Sequence, residues 1–318
     1  MHSFGSPLGL KLFSSIIVAL ALSSCGNGIT PTHLPPPPPF MPVVFVEGGS
    51  FMFGRCVEQN PTGGNRVTVG DFYIGKFQVT QGQWYAVMLN NPSSFDGRTT
   101  SGGANASPVY NRNLLPMENI SWYAVLVFAN RLSRRDGLQP AYSINGSTNP
   151  AKWGPIPTIS NADWNAVKID PKANGWRLPT EYEWEFAAKG GRLSVGHNGI
   201  VGDPPANNGK EIEEHTYLLF SGSNTALDVA WHNANSLNRT RPVKRLQPNE
   251  LGIFDMSGNV GEWTWSRHTP DGNSRVQRGG NWLATAAPFA RSAHREVHTQ
   301  PHITSRNFGF RLVRTPYL

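Results

Sequence analysis

The feature that most constrains this chain is a stretch near its carboxyl end that is pinned at both ends and has no regular period between them. One end is Arg278-Gly279-Gly280-Asn281-Trp282. Its two glycines let the backbone turn or approach another strand closely, and its tryptophan must find a pocket. The other end runs from Asn307 through Phe308-Gly309-Phe310-Arg311-Leu312-Val313 and reads as a strand, with Phe308, Phe310 and Leu312 on one face and Arg311 on the other. Between them, Leu283 to Arg306 is a mixture of small, β-branched and histidine side chains in which neither a helical nor a strand period can be defended. An irregular segment held by a rigid scaffold is where binding and catalysis concentrate, so function is expected here.

The chain has 318 residues, enough for one large or two medium domains, and its 33 glycines and 26 prolines imply a turn-rich body whose core falls to ten tryptophans. Near the amino end, the apolar run Leu12 to Leu22 follows Lys11. It is too short to span a bilayer but suits the core of a signal peptide. The sequence Leu22-Ser23-Ser24-Cys25-Gly26 resembles the bacterial lipoprotein processing box, which implies cleavage before Cys25 and lipidation of its thiol; an ordinary secretory signal is the alternative. Gly26 after the cysteine, in place of Asp, implies passage to the outer membrane in a two-membrane bacterium. Residues 1–24 are then a signal peptide and 25–42 a lipidated cysteine with a proline-rich spacer, unbroken proline from Pro35 to Pro39, stiff and extended. Residues 43–318 form the folded domain. Its single cysteine, Cys56, leaves no intramolecular disulfide and is expected to be a buried thiol.

Within the domain, Val43 to Phe53 alternates and breaks on glycines like a sheet edge, and Val67 to Ile74 continues the strand signal around Gly70-Asp71. Thr80 with Gln83 forms a capping box before a helix bearing Trp84, Val87 and Met88. Ser121 caps a longer helix, with Trp122, Val125, Ala129 and Leu132 on its apolar stripe and Gly137 closing it. Asp163 to Val167 is ambiguous. Thr180 with Glu183 makes a second capping box, and the acids of that first turn suit the helix dipole better than catalysis. Residues 191–250 read as loop. Asp255 and Glu262 bracket a glycine turn whose carbonyls would point inward, an all-oxygen set that a hard cation such as calcium requires; a bare turn closed by hydrogen bonds fits equally.

The motifs GGSFMFG, DFYIGKFQVTQGQW, ENISWYAVLVFANRLS, GWRLPTEYEWEFAAKGG, GIFDMSGNVGEW, RVQRGGNW and NFGFRLV stand in the order seen in the formylglycine-generating-enzyme-like, or sulfatase-modifying factor, domain, which the chain resembles from Val43 to Arg314. The resemblance implies an α+β variant of the C-type lectin fold: two twisted antiparallel sheets, a pair of helices and much coil. It also implies calcium held by the side chains of Asp255 and Glu262 and the carbonyls of Gly258 and Val260. Catalytic members bind copper through two thiolates just beyond the RGG turn, because soft sulfur selects Cu(I). Here Ala284 and Phe289 stand in that region and no cysteine follows Cys56, so neither copper nor oxidase activity is expected. The chain is also similar to the variable proteins of diversity-generating retroelements, above all the lipid-anchored spirochaetal type. Their diversified stretch lies between an RGG turn and a GFR strand, which corresponds to 283–307 here. Carried over, the variable ligand-binding positions are Leu283, Thr285, Phe289, His294, His298, His302, Ile303 and Ser305. Arg278, Gly279, Gly280, Trp282, Gly309 and Arg311 fall to the frame.

His294, His298 and His302 are four apart and would line one face of a helix, but Pro301 argues against a helix and hence a metal site. From Arg267 to Leu318 there are eight arginines, no lysine and two acids, which leaves six of the seven net charges in the tail. An anionic partner and internal pairing of Arg278 and Arg311 both account for this surplus. Nucleic acid is not an expected partner, since no motif for it accompanies the charge. The expectation is a monomeric, surface-displayed protein that binds a protein or glycan ligand, attached to the membrane by its lipid. An envelope assembly component of the same fold is the alternative, and an oxidase a distant third.

Overall fold

The computed structural model describes residues 40–54, 64–97, 110–193, 218–269, 272–285 and 291–316, without the side chains of Leu193, Val297 and His298. Met1–Leu34 form a unit outside the described residues, and everything below belongs to the unit Pro35–Leu318. Cys25, Cys56 and Phe289 also lie outside the described residues.

Thirteen short strands are described: β1 (Val43–Val46), β2 (Gly49–Phe53), β3 (Asn65–Val69), β4 (Phe72–Gly75), β5 (Tyr142–Ser143), β6 (Lys168–Ile169), β7 (Ala230–Trp231), β8 (Ser257–Gly258), β9 (Gly261–Arg267), β10 (Arg275–Arg278), β11 (Arg295–Thr299), β12 (Phe308–Gly309) and β13 (Val313–Arg314). The helices are α1 (Gln81–Met88), α2 (Trp122–Arg135), α3 (Ala162–Asn165), α4 (Glu181–Ala188) and α5 (Ala226–Val229). A four-stranded sheet has the order β11-β10-β9-β12 and a three-stranded sheet β1-β4-β13; β2-β3, β5-β6 and β7-β8 pair separately.

Helix α2 is the axis. Ser121 accepts a hydrogen bond from the Ala124 amide at its start, and eleven of its fourteen residues are buried. Apart from Arg131, Arg134 and Arg135 it is enclosed by the rest of the domain, so its buried Asn130 and Ser133 must be satisfied by neighbouring segments. Asn130 donates to the carbonyls of Tyr142 and Thr148, and Ser133 accepts from the Trp176 amide. Trp84 of α1 stacks on Phe128 with ring centres 5.2 Å apart, and Phe310 meets both rings edge-on. A second core lies under α4, where Trp184 and Phe186 pack with Phe51, Ile74 and Val313. Both capping boxes form as the sequence implies, Thr80 with Gln83 and Thr180 with Glu183.

Three expectations change. Asp163 to Val167 contains one turn of helix, α3. The tail from Phe308 is not one strand: β12 runs parallel to β9, whereas β13 runs antiparallel to β4, so the chain crosses from one sheet to the other between them. Arg311, at the crossing, is buried, in keeping with its place in the frame. The stretch expected to be irregular contains β11, which pairs with β10. As a polar strand at the rim of its sheet, β11 lacks the apolar alternation that announces a strand in sequence.

Candidate functional site

The segment after Gly280 is fixed from below by buried charge. Arg278 pairs with Glu185, which also accepts from Lys189 Nζ at 2.6 Å and from the Gly54 amide at 2.7 Å. The same guanidinium donates to the carbonyls of Ser292 and Ala293, holding the chain just before β11. Gly279 has φ 93°, and a Cβ there would lie 3.1 Å from the Trp184 ring. Trp282 is buried and donates from its indole to the Arg306 carbonyl at 3.1 Å, which ties the two ends of the segment together. At the far end, the Asn119 amide donates to the Ser305 carbonyl and the Tyr123 amide, at the start of α2, to that of Pro301.

On this frame Leu283 and Ile303 are 46% and 42% exposed, and Thr285, Thr304 and Arg306 also face solvent. His302 and Ser305 are half-buried, and the Ser305 hydroxyl accepts from the Asn307 amide. His294 is half-buried as well; burial, and then the charge of Arg278, push its imidazole down to about 4, so it is neutral at physiological pH. The three histidines do not share a helical face: His294 precedes β11, His298 lies within it and His302 sits in the turn beyond. Among the described residues no group of three metal-ligating side chains converges.

The arginine surplus is largely consumed inside the protein. Arg278 pairs with Glu185, Arg311 with Glu262 and Arg295 with Glu181. Arg275 lies over the Trp122 ring at 3.8 Å. Arg306 stays exposed, 5.2 Å from the Trp282 ring centre.

The turn from Asp255 to Glu262 does form an oxygen cage, and its centre belongs to Gln78. The Gln78 amide nitrogen lies 3.1 Å from the Asp255 carbonyl oxygen, 3.4 Å from that of Gly258, 2.9 Å from that of Val260 and 3.0 Å from Glu262 Oε1. The Asp255 carboxylate, expected as a ligand, turns away and accepts from the Lys244 amide at 2.8 Å. Burial raises that carboxyl to about 6. Glu262 is further bound by Arg311 Nε and Nη2, at 2.6 and 2.7 Å, and by the Trp184 indole at 2.6 Å. This arrangement does not fit calcium, which needs oxygens at about 2.3–2.6 Å and would sit against a guanidinium that already balances Glu262.

Sequence reading also missed a buried acid beside the segment. Glu118 accepts from the Phe95 amide at 2.8 Å, its other oxygen has no partner among the described residues, and burial raises it to about 7. Arg306 opposes that rise only weakly. Gln78 and Glu118 stand within the motifs DFYIGKFQVTQGQW and ENISWYAVLVFANRLS, but the partners that define their roles lie elsewhere in the chain, so nothing in the neighbouring residues marked them.

This geometry has known counterparts. Residues 35–316 match the sulfatase-modifying factor enzyme 1-like domain. The chain belongs to the sulfatase-modifying factor family. Its fold is the C-type lectin variant of formylglycine-generating enzymes. It is 35% identical over 301 residues to chaperone protein LppX of Paenibacillus barcinonensis, covering 86% of this chain and 88% of the relative. It is 27% identical to the mouse inactive C-alpha-formylglycine-generating enzyme 2, over 85% and 84% of the two chains. Among solved structures, Treponema denticola variable protein 1 superposes with a TM-score of 0.69 at 32% identity, covering 86% of this chain and 95% of that one.

Proposed function

We propose that this member of the sulfatase-modifying factor family is a binding protein without oxidase chemistry, displayed from a lipid on Cys25 at the bacterial surface. Side chains between 283 and 307 select a protein or glycan ligand and are diversified by a retroelement. One observation carries the reading: Leu283, Ile303 and Thr304 are exposed, while the backbone that carries them is held by Arg278, Trp282 and the turn amides. Such side chains can change without cost to the fold. Similarity to a variable protein supports it, as does the lack of any cysteine beyond Cys56 with which to hold copper. The test is genetic. A neighbouring reverse transcriptase and a near-copy of the 3′ end, with adenines at the codons for the outward positions, are expected; their absence would sink diversification. A second reading, an assembly factor, draws on the similarity to a protein named as a chaperone. Invariance of 283–307 among sibling strains would select it.

A further inference from the structure

At the opposite end of α2 from the variable segment lies a groove of about 350 Å³ that the proposed binding function does not use. Its floor is apolar, from Val87, Pro150 and Ala151, and its wall is Arg131, Arg134 and Arg135; none of its lining residues is acidic. Arg135 is held in place over the Phe40 ring, 3.6 Å away, and by Asp136. Arg131 reaches only the sulfur of Met88, and Arg134 has no ion-pair partner among the described residues. Three guanidiniums over an apolar floor, two of them without a carboxylate, match an anion that carries its own apolar body.

Phe40 shows where this groove looks. It is the first described residue, and Gln83 donates to its carbonyl, so the chain enters the domain beside the groove. Between Cys25 and Phe40 there are about fifteen residues, which reach roughly 45 Å at the polyproline rise. A domain of this size is itself on the order of 50 Å across. A tether of that length bounds how far the point of entry, and the groove beside it, can stand from a lipid on Cys25. The variable segment touches the first turn of α2 at Tyr123 and the groove is lined by Arg131, Arg134 and Arg135 toward its other end, roughly 12–18 Å further along the helix. We infer that the Arg131–Arg134–Arg135 groove seats the phosphate headgroups of anionic phospholipids and so orients α2 with the variable segment outward. This rests on the lipid-anchored reading above.

The test uses the full chain carrying Cys25→Ala, which cannot be acylated, in flotation with zwitterionic vesicles and with vesicles containing phosphatidylglycerol. Binding is expected to favour the anionic vesicles and to fall with salt. Each arginine near such a surface contributes about fivefold, so Arg131→Gln/Arg134→Gln should weaken partitioning about 25-fold. Removing the same charge from exposed sites elsewhere, by Lys168→Gln/Lys172→Gln, should change little. Equal binding to both vesicles would overturn the proposal, as would equal loss in both double variants. Displacement by inorganic phosphate would make the groove a free-phosphate site, and preference for polyglutamate over vesicles would make it a protein-docking surface; either result overturns the lipid assignment. The anchor is read separately, from the intact mass of the wild-type protein made in a lipoprotein-processing bacterium. An acylated Cys25 with no vesicle preference sinks the groove alone, and an unmodified Cys25 sinks the anchor alone.

Discussion

A side-chain amide has two protons, yet four oxygens converge on that of Gln78. With Arg311 beside it, this amide does the electrostatic work for which the sequence suggested a metal. The melting temperature of the wild-type protein should therefore be the same in a calcium chelator as in excess calcium; a rise of several degrees with calcium would show that the ion displaces Gln78. Glu262, bound at once by Gln78, Arg311 and Trp184, is a costlier residue to lose. Glu262→Ala strands a buried guanidinium and should cost about 3–5 kcal/mol in urea unfolding. Glu118 titrates in the opposite sense to a paired acid. Its folded value is about 7, raised by burial from the ordinary 4.5, so the native state binds the proton more tightly than the unfolded state does. Stability contributed by this group is full below pH 4.5 and falls as pH rises toward 7, by on the order of 3 kcal/mol at most. Glu118→Gln should match wild type in unfolding midpoint at pH 4 and exceed it at pH 8. A constant difference across that range would exclude the titration.

Elements divide the tail into replaceable and fixed parts. Substitutions such as Leu283→Ser, Ile303→Asn and Thr304→Asp should each change stability by no more than about 0.5 kcal/mol, the usual range for surface sites. Gly279→Ala should be strongly destabilising, because φ 93° disfavours any side chain and the Trp184 ring and Met256 carbonyl leave no space for one. Chemical denaturation of the set checks this, and a Gly279→Ala variant as stable as the loop variants would break the division. The same contrast explains what was legible in the sequence. Thr80–Gln83 and Thr180–Glu183 were readable because a capping box closes within three residues, and α2 because its stripe repeats. The cage was half legible: the turn from Asp255 to Glu262 is local, whereas Gln78 arrives from more than 170 residues away in sequence. Likewise β11 was hidden by its polar rim position, whereas internal pairing of Arg311 was one of the two readings the sequence left open, its partner Glu262 being visible only in the fold. Outward orientation at Leu283 and Ile303 was anticipated from resemblance to a family, not from any property of the side chains.

At the scale of the molecule, the last dozen residues close both sheets. β12 completes the four-stranded sheet, β13 completes the three-stranded one, and Phe310 and Leu312 enter the core between them. A chain ending at Ser305 should therefore lose the near-ultraviolet circular dichroism of its packed tryptophans as a whole. A folded remnant with half the signal would mean that the two cores stand independently. Closure by residues 308–314 also sets an order of assembly: until that segment docks, β4 lacks its β13 neighbour and Glu262 its counter-charge, so the two sheets and the buried ion pair between them are completed in one step.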